Sequence, residues 1–344
     1  MATNIKELGE FELIKYLTKD IKYVHPSTLK GIGDDAAVIS AGNKVITVTN
    51  DLLVEGIHFD LMYSPLKHLG YKAVVVNLSD LYAMNSVPEQ ITVGIALSSK
   101  FSLEAVEQIY EGIKLACKLY NVDLVGGDTT SSLTGLMISI TAIGTAPANQ
   151  ITYRNGAKEN NLICVSGDLG AAYLGVPILE REKRIFKENP GIQPQLENYK
   201  YVVGRQLKPE ARKDIVELLN QNGVVPTAMI DISDGLSSEI IHICTQSHTG
   251  CRIYEDKIPV HKETEKVADE LNIHPLTAAL NGGEDYELLF TINMNDYDKI
   301  KELPGITVIG HITHQSEGYN LINKQGMAIK LKSMGWKNFT NEQP

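Results

Sequence analysis

The sequence predicts a two-domain α/β (α+β) fold. Its 344 residues exceed the roughly 150 that an average domain contains, so each half can bury a core of its own. Hydrophobic residues make up 43% and charged residues 22%, which is typical of globular proteins. Helix-type and strand-type patterns alternate in both halves, and residues 147–156 resemble a linker. We therefore expect domains at residues 1–148 and 149–344.

In the first half, apolar residues recur with the period of a helix in three segments and with that of a strand in four. The predicted helices cover residues 5–18, 65–84 and 102–120, the second opening at Pro65. The predicted strands are KVITVTND, EQITVGIAL, VDLVGGD and LMISITAIGTA.

The second half begins with a strand and turn, NLICVSGDLG, and continues with helices to about residue 222 that ENPGIQPQ interrupts. TAMIDISDG then predicts a strand running into a turn, and SSEIIHICTQ predicts a helix. The last predicted strands are EDYELLFTI and ITVIGHI.

Charge and patterning exclude several classes of function. The net charge is −10 and no basic run is present, so nucleic acid is not an expected partner. No apolar run approaches the ~20 residues of a membrane-spanning helix, and the N-terminus lacks the pattern of a secretory signal. The four cysteines form no CxxC pair, so neither a zinc site nor a disulfide framework is predicted. We therefore expect a cytoplasmic protein that contacts no membrane.

The aspartates occupy unusual places in the sequence. They follow apolar strands, lie in glycine-rich turns or interrupt an apolar helix, whereas surface acids are rarely so placed. GIGDDA (31–36), TND (49–51) and DISDG (231–235) each offer several oxygen ligands suited to a hard cation. Each also has a simpler explanation as an Asp-rich turn or a helix cap.

Asp80 favours a metal site more strongly. It shares one face of a predicted apolar helix with Ala73, Asn77 and Met84, where an unpaired carboxylate would be very costly. A salt bridge is the alternative explanation. VGGDTT (125–130) and NGGEDYELLF (281–290) add further acidic glycine turns, which could equally be plain connections.

Together these acidic turns predict a site where several metal ions hold phosphate groups. The sequence contains no GxxxxGK[ST] loop, no GxGxxG after a strand and none of the GxSxG, HExxH or protein-kinase motifs. A nucleotide would therefore be held by metal ions and glycine turns.

The ordered set GIGDDA, TND, GIHFD, NLSDLYAM, VGGDTT, DISDG and GGEDYEL closely resembles the thiamine-monophosphate kinases, a family of the aminoimidazole-ribonucleotide-synthetase-like superfamily. The resemblance extends from about residue 9 to GWKNF at 335–339. It implies a homodimer whose N-terminal mixed-sheet domains pair through their sheets. It also implies that ATP is bound with several Mg²⁺ ions and that the C-terminal α/β domain completes the site.

The resemblance also assigns roles to individual residues. It implies that the magnesium ligands are Asp34, Asp35, Thr49, Asn50, Asp51, Asp80, Asp128, Asp231 and Asp234. Among these, Asp51, Asp80, Asp128 and Asp231 are the candidate catalytic residues. The implied ATP contacts are Gly127, Asp128, Arg154 and Ser233, and the implied thiamine monophosphate contacts are His58, Glu284 and Trp336. The chain departs from the family pattern at Asn50, Asn85 and Glu239.

The reaction that the resemblance implies is direct transfer of the γ-phosphoryl group of ATP to thiamine monophosphate, giving thiamine diphosphate. Because a phosphate acceptor is already ionised near neutral pH, catalysis consists of positioning and charge neutralisation. Two alternatives remain open at this point. One is an ATP-dependent cyclo-ligase or synthetase of the same superfamily, and the other is a non-catalytic nucleotide-binding regulator.

Overall fold

The computed structural model of the chain describes residues 9–332. The candidate substrate contact Trp336 lies outside the described residues. No helix within the described range is long and apolar enough to cross a lipid bilayer.

The first part of the chain forms a mixed six-stranded sheet, which contains the four strands predicted from the sequence and two shorter strands that were not predicted. Its strands are β1 (Thr28–Lys30), β2 (Ala37–Ala41), β3 (Lys44–Val54), β4 (Val87–Leu97), β5 (Asp123–Ser131) and β6 (Met137–Pro147). They are arranged in the order β1-β2-β3-β6-β4-β5, and only β4 and β5 run parallel. Strand β5 is therefore an edge strand, and all nine of its residues are exposed.

Three helices accompany this sheet: α1 (Gly9–Thr18), α2 (Leu66–Ala83) and α3 (Leu103–Tyr120). Helix α2 begins directly after Pro65, and the Ser102 hydroxyl caps α3 by accepting a hydrogen bond from the Ala105 N–H. The chain leaves α2 through Asn85, whose φ of 53° is left-handed. Asparagine adopts this conformation more readily than most residues.

The second part of the chain forms a seven-stranded sheet in the order β13-β12-β9-β11-β7-β10-β8. The strands are β7 (Leu162–Ser166), β8 (Ala228–Asp231), β9 (Gly250–Tyr254), β10 (Leu288–Ile292), β11 (Ile306–Thr313), β12 (Tyr319–Ile322) and β13 (Ala328–Lys330). The helices are α4 (Ala171–Glu188), α5 (Lys200–Leu207), α6 (Lys213–Gln221), α7 (Leu236–Ser247), α8 (Lys262–Leu271), α9 (Pro275–Asn281) and α10 (Tyr297–Ile300).

One predicted strand begins later than its sequence pattern indicates. EDYELLFTI is extended only from Leu288, because Glu284 and Tyr286 have left-handed φ values of 64° and 52°. Non-glycine residues pay a steric penalty in this region, so two of them in one short segment mark a strained turn. The turn lies directly before a fully buried strand.

Helix α2 lies between the two sheets. It contacts β3 and β6 on one side and β8 on the other. Its Leu78 belongs to the same apolar core as Ile138 of β6 and Phe290 of β10, all fully buried. Because α2 is covered on both sides, it has no broad polar face, and each polar side chain that it carries needs a partner.

The close crossing of α2 and α3 gives a test of the fold. A Cβ added to Gly112 would lie 1.9 Å from the Lys67 carbonyl oxygen, so Gly112→Ala should force the helices apart and cost about 1–3 kcal/mol of unfolding free energy. A Cβ added to Gly204 of α5 would have no atom within 4 Å, so Gly204→Ala should be neutral or should stabilise the fold by about 1 kcal/mol. Thermal unfolding of both variants measures this, and equal melting temperatures would contradict the crossing.

Candidate active site

Three carboxylates from distant parts of the chain meet where the two sheets approach each other. Asp35 lies between β1 and β2, Asp80 lies on α2, and Asp231 ends β8. One oxygen of each lies within 4.8 Å of one oxygen of the other two. Asp35 and Asp231 are buried and Asp80 is partly exposed. We call these three residues the carboxylate centre.

Neighbouring side chains hold the carboxylate centre in place. Thr49 Oγ1 donates a hydrogen bond of 2.6 Å to Asp80 Oδ2, and Ser79 Oγ donates one of the same length to Asp231 Oδ2. Arg154 donates to both oxygens of Asp35, from Nε at 3.0 Å and from a terminal nitrogen at 2.8 Å. The other carboxylate oxygen of Asp80 and that of Asp231 accept no hydrogen bond from Thr49, Ser79 or Arg154.

The electrostatics of the centre favour a cation. Burial raises the pKa of Asp80 well above its ordinary value, and the charges of Asp51, Asp231 and Asp35 raise it further. Burial, followed by the charge of Asp35, raises the pKa of Asp231 to about 7. Without a counter-cation these acids hold protons to higher pH than ordinary aspartates do, and an oxygen-coordinated divalent ion fits the donor set.

Two further candidate ligands border the centre. The backbone N–H of Asp51 donates to Asn77 Oδ1 at 2.9 Å, which fixes the end of β3 against α2. Asp34 accepts the backbone N–H of Arg154 at 3.1 Å, and its other oxygen lies 3.2 Å from Lys30 Nζ. Burial, followed by the Asp35 charge, raises the pKa of Asp34.

The turn after β8 carries the next pair of candidates. Asp234 is half-buried, and its backbone N–H donates to the carboxylate of Glu239. Ser233 is exposed, and its carbonyl oxygen accepts the backbone N–H of Glu284 at 2.8 Å. This bond places the candidate substrate contact Glu284 beside the candidate nucleotide contact Ser233. His58 lies in the turn after β3, where its Nδ1 accepts the Val54 N–H at 3.1 Å.

The side chain of Asn50 lies on the other face of the first sheet. Thr49 and Asp51 face α2, and because side chains alternate along a strand, Asn50 faces the uncovered side. There its Nδ2 donates to Ser139 Oγ and Thr141 Oγ1, each at 3.0 Å. The structure therefore does not bring this side chain to the carboxylate centre.

Gly127 and Asp128 also lie apart from the centre within one chain. They are on the edge strand β5, three strands from Asp51, or about 14 Å at the usual strand spacing. With Tyr110 of α3 they line a cavity of about 410 Å³. Sequence reasoning missed Tyr110, since a tyrosine on a helix gives no signal until the fold brings it to β5.

Sequence reasoning also missed the residues that hold Glu284. Lys72 Nζ lies 2.9 Å from Glu284 Oε1, and Gln206 Nε2 donates to Glu284 Oε2 at 2.5 Å. Lys72 lies on α2, two helical turns before Asp80, and is followed directly by the apolar run at residues 73–76. A lysine next to an apolar run within a helix was the available signal.

Comparisons with known proteins agree with the fold described above. Residues 33–146 match the model of the AIR synthase related protein, N-terminal domain. A solved structure of AaThiL complexed with AMPPCP and TMP superposes with a TM-score of 0.84 at 30% identity, covering 98% of this chain and all of that one. Both the fold and the length of the two chains therefore correspond.

Curated relatives align with this chain over nearly their whole length. The thiamine-monophosphate kinase of Bacillus subtilis (strain 168) is 32% identical over 342 residues, covering 96% of this chain and 100% of the relative. That of Buchnera aphidicola subsp. Schizaphis graminum is 36% identical, with 97% and 99% covered. Full-length identity above 30% to these enzymes shows that the chain belongs to the thiamine-monophosphate kinase family.

Proposed function

We propose that this protein transfers the γ-phosphoryl group of ATP to the phosphate of thiamine monophosphate, in the cytoplasm and with Mg²⁺. The observation that carries the proposal is the carboxylate centre, which Asp35, Asp80 and Asp231 form from segments as far apart as residues 35 and 231. Family membership supplies the reaction, and the superposable AaThiL structure contains both AMPPCP and TMP. The cyclo-ligase and regulator alternatives have no comparable support.

The residues around the centre divide the work of metal binding. Asp35, Asp80 and Asp231 would hold Mg²⁺, and we propose that Asp34, Thr49, Asp51 and Asp234 assist directly or through water. When bound, the metal would neutralise charge on the phosphates of both substrates. The Asn50 side chain would contribute only if the sheet rearranged, so we assign it a structural role on the uncovered face.

The transfer itself requires no nucleophile from the protein. An oxygen of the acceptor phosphate forms a bond to the γ-phosphorus of ATP while the bond from that phosphorus to the β–γ bridging oxygen breaks, and ADP leaves. Arg154 is fixed by Asp35 and only 17% exposed in its side chain, so it can meet an anionic phosphate without a large loss of side-chain freedom. Ser233 would contact the nucleotide beside it.

The acceptor would lie on the side of Glu284. His58 lies in the turn after β3, Glu284 lies in the turn beside Ser233, and Trp336 lies after residue 332 in the sequence. We propose that these three residues contact thiamine monophosphate, with Trp336 offering an aromatic face to the cationic thiazolium ring.

A homodimer would complete the nucleotide site. Strand β5 is wholly exposed although it carries Leu124 and Val125, and Leu52 on the uncovered face of the sheet is half exposed. A second copy would cover these apolar side chains. Because Gly127 and Asp128 lie three strands from Asp51 in their own chain, we propose that they serve the carboxylate centre of the partner.

An ADP-release assay tests the proposed reaction. ADP should form with thiamine monophosphate and Mg²⁺ but not with thiamine in its place or with EDTA. Asp80→Asn should lower kcat/KM at least about 100-fold, because it removes a ligand of the charge-neutralising metal. Asp298→Asn, an exposed acid paired with Lys301, serves as the control and should be unaffected. Full turnover by Asp80→Asn would remove that residue from the site.

The raised pKa values predict how metal binding depends on pH. The folded chain binds protons at Asp80 and Asp231 that the unfolded chain has lost, so these groups destabilise the metal-free protein as pH rises from about 4 to the Asp231 value of about 7. Mg²⁺ must displace these protons, so its apparent affinity should fall about tenfold per pH unit below the Asp231 value of about 7, through the Asp231 proton alone.

Melting temperatures with and without Mg²⁺ at pH 6 and pH 8 measure this effect. The rise that Mg²⁺ produces should be larger at pH 8. At each pH, the melting temperature without Mg²⁺ is subtracted from the one with Mg²⁺. This subtraction removes the contribution of other buried acids such as Asp285, whose pKa burial raises to about 7. An equal rise at both values would show that the metal does not compete with protons at the centre.

Mixed dimers test whether two chains share each site. Asp80→Asn and Asp128→Asn homodimers should both be inactive. When the two are unfolded together and refolded, half of the dimers are mixed and each mixed dimer has one intact site, so about a quarter of the wild-type rate should return. No recovery, with mixed dimers verified by mass spectrometry, would place Asp128 in the site of its own chain.

A further inference from the structure

Lys72 is a buried lysine that none of the assigned roles uses. Its side chain is 5% exposed, its Nζ lies 2.9 Å from Glu284 Oε1, and it also donates to the Gln206 carbonyl oxygen at 3.1 Å. Lysine is almost never buried without a charged partner. The ion pair joins α2 of the first part of the chain to a turn of the second.

The partner, Glu284, is fixed on every side but one. Its φ is 64°, its N–H is bonded to the Ser233 carbonyl, and its two carboxylate oxygens receive Lys72 and Gln206 Nε2. Its side chain nevertheless remains 28% exposed. A carboxylate held in a strained backbone conformation with one open side is oriented for a ligand.

Gln206 contributes an unused acceptor at the same place. Only Nε2 of the Gln206 amide can donate to the Glu284 carboxylate, so the orientation of the amide is determined. Oε1 is then the acceptor that the amide has left. Oε1 is buried and has no hydrogen-bond partner among residues 9–332, and the whole residue is only 8% exposed. A buried acceptor without a donor is costly, and a ligand N–H would satisfy it.

Helix α2 sets the distance from this group to the carboxylate centre. Lys72 and Asp80 are eight residues apart on one continuous helix, which corresponds to about 12 Å along its axis. Lys72 pairs with Glu284 of the second part of the chain, and Asp80 lies beside Asp231 of the same part. A small organic phosphate can therefore have its phosphate at Asp80 and its other end at Glu284.

We propose that Lys72 and Gln206 recognise the part of the acceptor that carries no phosphate. Lys72 is a positioning residue that holds Glu284, and Gln206 Oε1 accepts a hydrogen bond from an amino group on a heteroaromatic ring. This rests on the proposed function, since the pyrimidine amino group is the only N–H donor of thiamine monophosphate. Glu284 and Gln206 then select an aminopyrimidine.

The first experiment compares Lys72→Met with Lys67→Met. Both lysines lie on α2, but Lys67 is half exposed and pairs with Glu111 at the surface. Lys72→Met should raise KM for thiamine monophosphate about tenfold or more while KM for ATP stays within about twofold, because one charge-assisted hydrogen bond to Glu284 is lost. Lys72→Arg should restore part of the loss, and Lys67→Met should change neither constant.

The second experiment uses Gln206→Met and an acceptor whose pyrimidine carries an oxo group in place of the amino group. The wild type should prefer the amino compound about tenfold or more in kcat/KM. Gln206→Met should lose most of that preference, which a merely structural role would not produce. This variant keeps the test available should Lys72→Met fail to fold.

The outcomes separate the two proposals. If the wild type phosphorylates thiamine monophosphate but Gln206→Met keeps the full preference, or if Lys72→Met raises both KM values equally, the inference is wrong and the proposed function stands. If the wild type forms no ADP with thiamine monophosphate, the proposed function fails, and with it the basis for this inference.

Discussion

The central constraint on this structure is that the fold holds three mutually repelling carboxylates close together. Asp35, Asp80 and Asp231 lie within 4.8 Å of one another, and Arg154 neutralises only the first. Their backbones belong to a turn, a buried helix and the end of a buried strand, so they cannot move apart without disrupting the core. In the metal-free fold Asp80 and Asp231 therefore hold protons to higher pH than ordinary aspartates do, and a divalent cation would take the place of those protons.

Burial of α2 between two sheets explains why its buried polar residues have specific partners. A helix with one solvated face can carry polar side chains without consequence, but α2 has no such face in its middle. Asn77 holds β3, Ser79 holds Asp231, Asp80 joins the carboxylate centre and Lys72 holds Glu284. Each contact joins α2 to another element, so the helix that stabilises the core also aligns the site.

Sequence reasoning succeeded where local pattern decides the structure and failed where neighbours in space decide it. Strand and helix periods predicted most elements, and the acidic turns predicted that Asp35, Asp80 and Asp231 converge. Strand alternation was available for Asn50 but was not applied. Tyr110 and Gln206 acquire their neighbours only through tertiary packing, and the position of Asp128 on an edge strand depends on strand order. The boundary between residues 148 and 149 stays a prediction.

The proposed placement of both ends of the acceptor along one rigid helix has a consequence for selectivity. If Asp80 and Lys72 lay on separate loops, the distance between phosphate and organic ends could adapt to acceptors of different length. On α2 that distance is fixed by about 1.5 Å per residue, and the core on both sides prevents the helix from bending. Selection by length then needs no moving part, because an acceptor of the wrong length can satisfy the carboxylate centre or the Glu284 group but not both.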